Sequence, residues 1–157
     1  MFKIILLLVS VLGVPTVSSG LEDNLKKSVE IAIHGGKFQA ERLKIAAENL
    51  ANEDSTSDRP GGDPYRRKIL FAKNDYDKIL KTRVVKAKKV DVDKSDFVMK
   101  YQPTHPAADL NGYVKYPNVQ KEIERADASE AQRSYEANLN VIEMSRSMMQ
   151  KTVEAIK

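Results

Sequence analysis

The sequence predicts an α+β subunit, mainly α, in which long N- and C-terminal helices pair as a coiled coil, with a small β-rich domain and an extended linker between them. Three observations lead there. Beyond Pro117 there is no Gly or Pro, and apolar side chains recur at Tyr135, Leu139, Ile142, Met149, Val153 and Ile156 in a 4-3-7-4-3 spacing that Arg146 alone interrupts. Near the other end Val29, Gly36, Leu43 and Leu50 fall seven apart, with Ile33, Ala40 and Ala47 at the intermediate positions. Between the two lie turn-rich segments alternating with short β-branched and aromatic runs. A 3.5-residue repeat marks helices that need another helix to cover their apolar line, whereas β-branched runs bounded by turn residues mark strands.

In chain order, residues 1–20 form an apolar, signal-like extension: Lys3, an apolar run from Ile4 to Val14, Pro15, then small residues up to Gly20. This is the layout of a secretory signal peptide cut after Ser19, and it is too short and interrupted for a transmembrane helix. The competing expectation is a misassigned start, with the chain beginning near Val17 or Leu21. Residues 21–52 are expected to be the N-terminal helix. Its Gly35-Gly36 pair costs about 1 kcal/mol per glycine relative to Ala, which points to a kink or a close helix contact.

Residues 53–117 hold a loop, the small β-rich domain and the linker. The stretch 53–64 has no apolar side chain other than proline and is dense in Ser, Asp, Gly and Pro, so it is a loop. Strands are expected over 65–71, over 82–92 as one or two, and over 97–101; residues 102–117, with three prolines and Gly112, read as an extended connection. Asn118, following Pro117, is the expected N-cap of the C-terminal helix over 118–157. Beside that helix's apolar line runs a second line of small or polar residues, Ala131, Asn138, Ser145 and Thr152.

Composition excludes several kinds of chemistry. With no Cys there is no disulfide, Cys-ligated zinc or thiol catalysis, and with no Trp and 6 % aromatic residues the core is modest. The net charge of +4 is uneven, because residues 66–89 hold ten Lys or Arg against two Asp. That run is read as a solvated face of the sheet. It lacks a recognition helix and an aromatic stacking array, so nucleic acid is not an expected partner.

Of the two histidines, His34 falls in the N-terminal helix as a surface residue and His105 in a turn-rich loop. His105 with Asp109 is the only pair that suggests a metal or general-base site, and its spacing is not specific. No phosphate loop, nucleophile elbow or zinc signature occurs, so no catalytic residue, cofactor or metal is expected. The methionines Met144, Met148 and Met149 suit adaptable helix packing.

Specific strings carry the reading further. Ala47-Glu48-Asn49-Leu50-Ala51-Asn52, followed by Thr56, resembles the N-terminal signature of bacterial flagellar rod and hook proteins, an Asn-Leu/Ile-Ala-Asn core followed by Thr. Ser134-Tyr135-Glu136-Ala137-Asn138, with Arg146 to Met148 downstream, resembles their C-terminal signature. DPYRRK at 63–68 and HPAADLNGYVKYPNV at 105–119 resemble the proximal rod proteins of that family, and the likeness runs from about residue 28 to the C-terminus. The resemblance implies a non-enzymatic building block of the flagellar basal-body rod, the periplasmic drive shaft for motility.

The partners it implies are further copies of the chain, other rod proteins including FlgB, the rod-base adapter protein, the membrane ring, and the type III flagellar export apparatus. Members of the family lack a cleavable signal, so the apolar extension is a departure from the pattern. The assembly residues expected from the two signatures are Asn49 and Asn52 as helix-end hydrogen-bonding groups, Leu50, Tyr135 and Leu139 as packing knobs, and Asn138 as a polar register-setting position. The heptad lines add Leu43, Ile142, Met149 and Val153. The alternative is a secreted envelope-binding module with a basic β surface and oligomerising helices. A hydrolase built on His105 and Asp109 ranks last.

Overall fold

A computed structural model of the chain describes residues 17–155. The signal-like reading of the first sixteen residues, and Ile156 of the apolar line, fall outside the described residues. The order of elements is α1 (Val17–Ala51), β1 (Lys68–Asp77), β2 (Thr82–Val92), β3 (Val98–Tyr101), β4 (Tyr113–Tyr116) and α2 (Lys121–Ala155). The helices pack against each other as an antiparallel pair, with Asn49 beside Glu124 at one level and Gly35 beside Asn138 at another.

The small and polar line of α2, not its apolar line, faces α1. Glu124, Ala131 and Ser145, at multiples of seven residues, are the buried residues of α2, with Asn138 and Thr152 half-buried at the same heptad position. Opposite them α1 buries Ala32, Gly36, Ile45, Ala46 and Asn49, while Ala40 and Ala47 of the expected line are exposed. Small side chains let two backbones approach closely, so the contact is made at the narrow stripe and the bulkier apolar residues are pushed to its flanks. Tyr135, Ile142 and Met149 are half-buried there, whereas Leu139 and Val153 remain 46 % and 58 % exposed.

β1 and β2 form a long antiparallel hairpin from Lys68↔Val92 to Asp77↔Thr82, with a bulge at Phe71/Ala72. It lies along α1 with Val84 buried beneath it. Its turn is shaped by Asp77, whose Oδ1 accepts from the backbone N–H of Ile79 (2.9 Å) and Leu80 (3.1 Å), and Lys81 takes a left-handed φ of 52°. Thr82–Val92 is one strand. The first strand is shifted from the expected 65–71 to Lys68–Asp77, because its polar second half is recruited by pairing with Val84 and Val85 rather than by its own β propensity.

The expected linker contains a strand. β4 pairs with β3 from Val98↔Tyr116 to Tyr101↔Tyr113, closed by a loop whose Gly112 has φ 80°. A Cβ there would stand 2.9 Å from Tyr101 Cε2, so both backbone and space require glycine. Val114 of β4 is fully buried, worth about 2 kcal/mol by area. Asn118 does not cap α2. The helix starts at Lys121, the Glu124 N–H donates to Gln120 O at 3.0 Å, and Glu122 and Glu124 place negative charge in the first turn, where the helix dipole favours it. His34, expected at the surface, is half-buried in a groove with Phe38 and Val85.

Candidate functional site

The strongest polar cluster of the molecule joins α1, β1, the loop after β2 and the start of α2. Asn49, on the last turns of α1, is fully buried. Its Oδ1 accepts from Lys68 N (2.8 Å) and Tyr65 OH (2.8 Å), and its Nδ2 donates to Lys68 O (3.0 Å) and Glu124 Oε2 (3.0 Å). The amide thus bonds both the N–H and the C=O of Lys68, as the peptide of a neighbouring strand would, and ties the first residue of β1 to the helix pair. Asn52 stays local, where its Nδ2 donates to Glu48 O at 2.7 Å and closes the end of α1.

Glu124 is 2 % exposed. Its carboxylate takes the Asn49 bond on one oxygen and Arg67 Nε at 2.5 Å on the other, so the buried charge is paired and hydrogen-bonded. Arg67 also approaches Asp93 Oδ2 at 3.6 Å. Asn118, buried, accepts from Arg67 N at 2.9 Å and donates to Ser95 Oγ at 2.8 Å and Asp93 O at 3.2 Å. The Arg66 guanidinium stacks 4.0 Å from the centre of the Phe97 ring.

These groups tie α1, β1, the loop after β2 and α2 together. Hydrogen bonds from the Ser95 backbone N–H and hydroxyl, then the Arg67 charge, hold the Asp93 carboxyl below the usual carboxylate range, and the Lys68 ammonium does the same for Glu48. Burial pushes the Tyr65 phenol up. A depressed carboxyl contributes stability that is complete above its unfolded value of about 3.9 and is lost as pH falls through the folded value. Denaturant midpoints are therefore expected to hold from pH 7 to pH 5 and to fall below pH 4, and Asp93→Asn is expected to flatten part of that fall.

Along the helix pair a second signature residue meets the glycines. Asn138 Nδ2 donates to Ser134 O at 2.7 Å, and its Oδ1 sits where a Cβ on Gly35 would be only 2.6 Å away; a Cβ on Gly36 would clear the Tyr135 ring at 3.7 Å. Gly36→Ala is expected to gain up to about 1 kcal/mol of helix propensity. Gly35→Ala is expected to lose that gain by displacing Asn138, and Asn138→Ala is expected to restore it. Thermal denaturation of the three variants checks both statements.

Of the residues anticipated from sequence, Asn49 enters the junction, while Tyr135 and Asn138 come together over the two glycines. Leu43, Leu50, Asn52, Ile142 and Met149 are half-buried, and Leu139 and Val153 face outward. Sequence reasoning missed Glu124, Arg67, Tyr65 and Asn118 as one network. Glu124 was within reach, since it lies one heptad before Ala131. The pair suggested for hydrolysis is engaged elsewhere: His105 Nδ1 accepts from Ala107 N at 3.1 Å, and Asp109 Oδ1 accepts from Asn111 N at 2.8 Å and Tyr113 N at 2.9 Å.

A family model described as "Flagellar basal body rod FlgEFG protein C-terminal" matches residues 110–155, which span β4 and α2. The flagellar basal-body rod protein FlgC of Agrobacterium fabrum is 47 % identical over 135 residues, which cover 86 % of this chain and 97 % of that protein. The chain belongs to the FlgC family of flagellar basal-body rod proteins. Flagellar basal-body rod protein FlgC of Salmonella typhimurium is 42 % identical over 73 % of this chain and 85 % of its own, and that of Borreliella burgdorferi is 36 % identical over 85 % and 98 %. Membership of the FlgC family makes the chain a structural subunit of the basal-body rod, and it assembles with other components of the flagellar basal body.

The strings that suggested this family turn out to meet in space. Asn49 comes from the N-terminal signature, Tyr65 and Arg67 from DPYRRK, and Asn118 from the Tyr-Pro-Asn-Val end of the linker string, all within hydrogen-bond reach of one another or of Glu124. In this chain these motif residues tie the start of β1 and the loop after β2 to the ends of α1 and α2.

Proposed function

We propose that this chain self-assembles into the axial rod through the helix faces that its own fold leaves uncovered, and that its role is mechanical, without catalysis. The observation that carries the reading is the exposure of Leu139, Val141, Met144, Met148 and Val153 along α2, with Ile31 on α1. Leu139 and Val153 lie on one flank of α2, and Val141, Met144 and Met148 on the opposite one, so each flank offers apolar area that a neighbouring helix can cover. Leu139, Ile142, Met149 and Val153 on α2, together with Leu43 and Leu50 on α1, would contact neighbouring subunits or complete their packing. Asn49, Asn52, Tyr135 and Asn138 would keep each subunit in the shape that its neighbours read.

The partners this supports are further copies, the rod protein FlgB, the rod-base adapter, the membrane ring, and the type III export apparatus that would deliver the chain unfolded. A subunit whose long helices share a narrow contact stripe suits such delivery, since only a modest core must form after export. The test is genetic and biochemical. Deleting the gene is expected to abolish swimming, and a tagged full-length chain is expected to restore it and to co-sediment with basal bodies. Recovery of the chain only from a soluble periplasmic fraction, with swimming intact in the deletion strain, would overturn the reading.

A further inference from the structure

The β1–β2 hairpin ends in a tip whose Lys78, Ile79 and Lys81 are left exposed by the described residues. Ile79 is 89 % exposed between Lys78 and Lys81, and among the described residues Lys78, Lys81, Arg83 and Lys88 have no ion-pair partner, unlike Lys73, Lys86 and Lys89. At the other end of the helix pair, a cleft of about 380 Å³ opens between the loop after α1 and the first turn of α2. Its floor is Val98, Tyr116 and Pro117, and its rim carries Glu53, Asp54 and Glu122. Lys121 pairs with Glu53 through Oε1 only; Oε2 is enclosed and has no hydrogen-bond partner. A second cation at the cleft, Lys100, is turned onto the Tyr116 ring, 3.9 Å from its centre. The cleft is thus an apolar socket with an acidic rim.

We propose that the hairpin tip of one copy docks in this cleft on a second copy, Ile79 entering the apolar floor while Lys78 and Lys81 meet Glu53, Asp54 and Glu122. The inference rests on the reading that copies of the chain assemble with one another. A chain cannot fill its own cleft: the hairpin passes His34 before reaching its tip, and from there to the end of α1 is about 25 Å at 1.5 Å per residue. Tip and socket are different surfaces, so repeated head to tail the contact is heterologous and propagates from copy to copy, whereas a reciprocal exchange between two copies would close as a dimer and give no ladder. Charge complementarity selects this occupant. Lys78, Lys81 and Arg83 at the tip, unpaired among the described residues, meet a cleft whose three carboxylates outnumber its two ammonium groups.

The chain has no cysteine, so the contact can be tested by disulfide trapping in assembled basal bodies. A full-length chain carrying Ile79→Cys and Asp54→Cys is expected to give an oxidant-dependent ladder of covalent oligomers, and each single variant is expected to give none. Lys78→Glu with Lys81→Glu on that background is expected to reduce the cross-linked fraction at least tenfold, and adding Asp54→Lys with Glu122→Lys to the uncrosslinked form is expected to restore swimming lost by the hairpin reversal alone. A chain that enters basal bodies and supports swimming but gives no ladder, or one in which Ile79→Cys alone gives dimers, overturns the contact and leaves the rod reading standing. A chain absent from basal bodies overturns both.

Discussion

Arg67→Ala is expected to cost about 3 kcal/mol of subunit stability, the lower end of the range for breaking a buried ion pair by removing one partner. The loss arises at Glu124, which is 2 % exposed and would keep only the Asn49 bond at 3.0 Å for a full negative charge. Arg67 itself is a quarter exposed, and this places the effect at the lower end. The same substitution also removes the link to Asp93, so β1 and the loop after β2 loosen together. For a domain whose whole stability is about 5–15 kcal/mol, this is a large fraction. Substituting both partners, Arg67→Leu with Glu124→Leu, is expected to recover part of the loss, because no uncompensated charge remains. Urea midpoints measure this directly. An Arg67→Ala midpoint equivalent to less than about 0.5 kcal/mol would show that the junction does not hold the fold.

The second large effect is on assembly and not on the subunit. Leu139→Glu with Val153→Glu is expected to abolish incorporation into the rod and swimming while shifting subunit stability by less than about 0.5 kcal/mol per site. Both side chains are roughly half exposed in the isolated chain, so the subunit loses little when they change. In an assembly each buried aliphatic side chain contributes about 1.5–3 kcal/mol, and replacing it with a carboxylate adds the cost of burying a charge. Repeated at every subunit of a polymer, that penalty compounds. Thermal denaturation alongside a swimming assay separates the outcomes. Normal swimming by the double variant would show that this face of α2 points to solvent in the rod.

Both helices could be read from the sequence, because a seven-residue repeat without interior proline leaves few other conformations. Which line of the repeat faces inward was harder to see. The apolar line through Leu139 and Val153 drew attention by its hydrophobicity, yet the contact follows Glu124, Ala131, Asn138 and Ser145, since close approach at Gly35 and Gly36 favours small and polar side chains over large ones. Apolar residues set aside from an intrasubunit contact are what a polymerising subunit requires. Under the proposed assembly the sequence pattern combines two demands, folding on one line of the helix and subunit contact on its neighbour.

The β region was legible where propensity is strong, at Thr82–Val92 and near Val98–Tyr101. It was not legible where pairing decides. Lys73 to Asp77 have little β propensity and are strand because β2 lies opposite, and Tyr113–Tyr116 lies between Pro106 and Pro117, which mask its alternation. The junction could not have been read at all from one string. Asn49, Arg67, Asn118 and Glu124 are spread over 76 residues, and the first three look like separate cap or turn residues until the fold brings them to one carboxylate.

Assembly through the uncovered side of α2 requires that neighbouring rod subunits bury it. A cryo-EM map of basal bodies from the native cells, resolved to side chains in the rod, would show whether they do. It is expected to place this chain in the rod with Leu139 and Val153, which share one flank of α2, packed against helices of neighbouring subunits. A rod built without this chain, or one that contains it with both side chains facing solvent, would contradict assembly through this face.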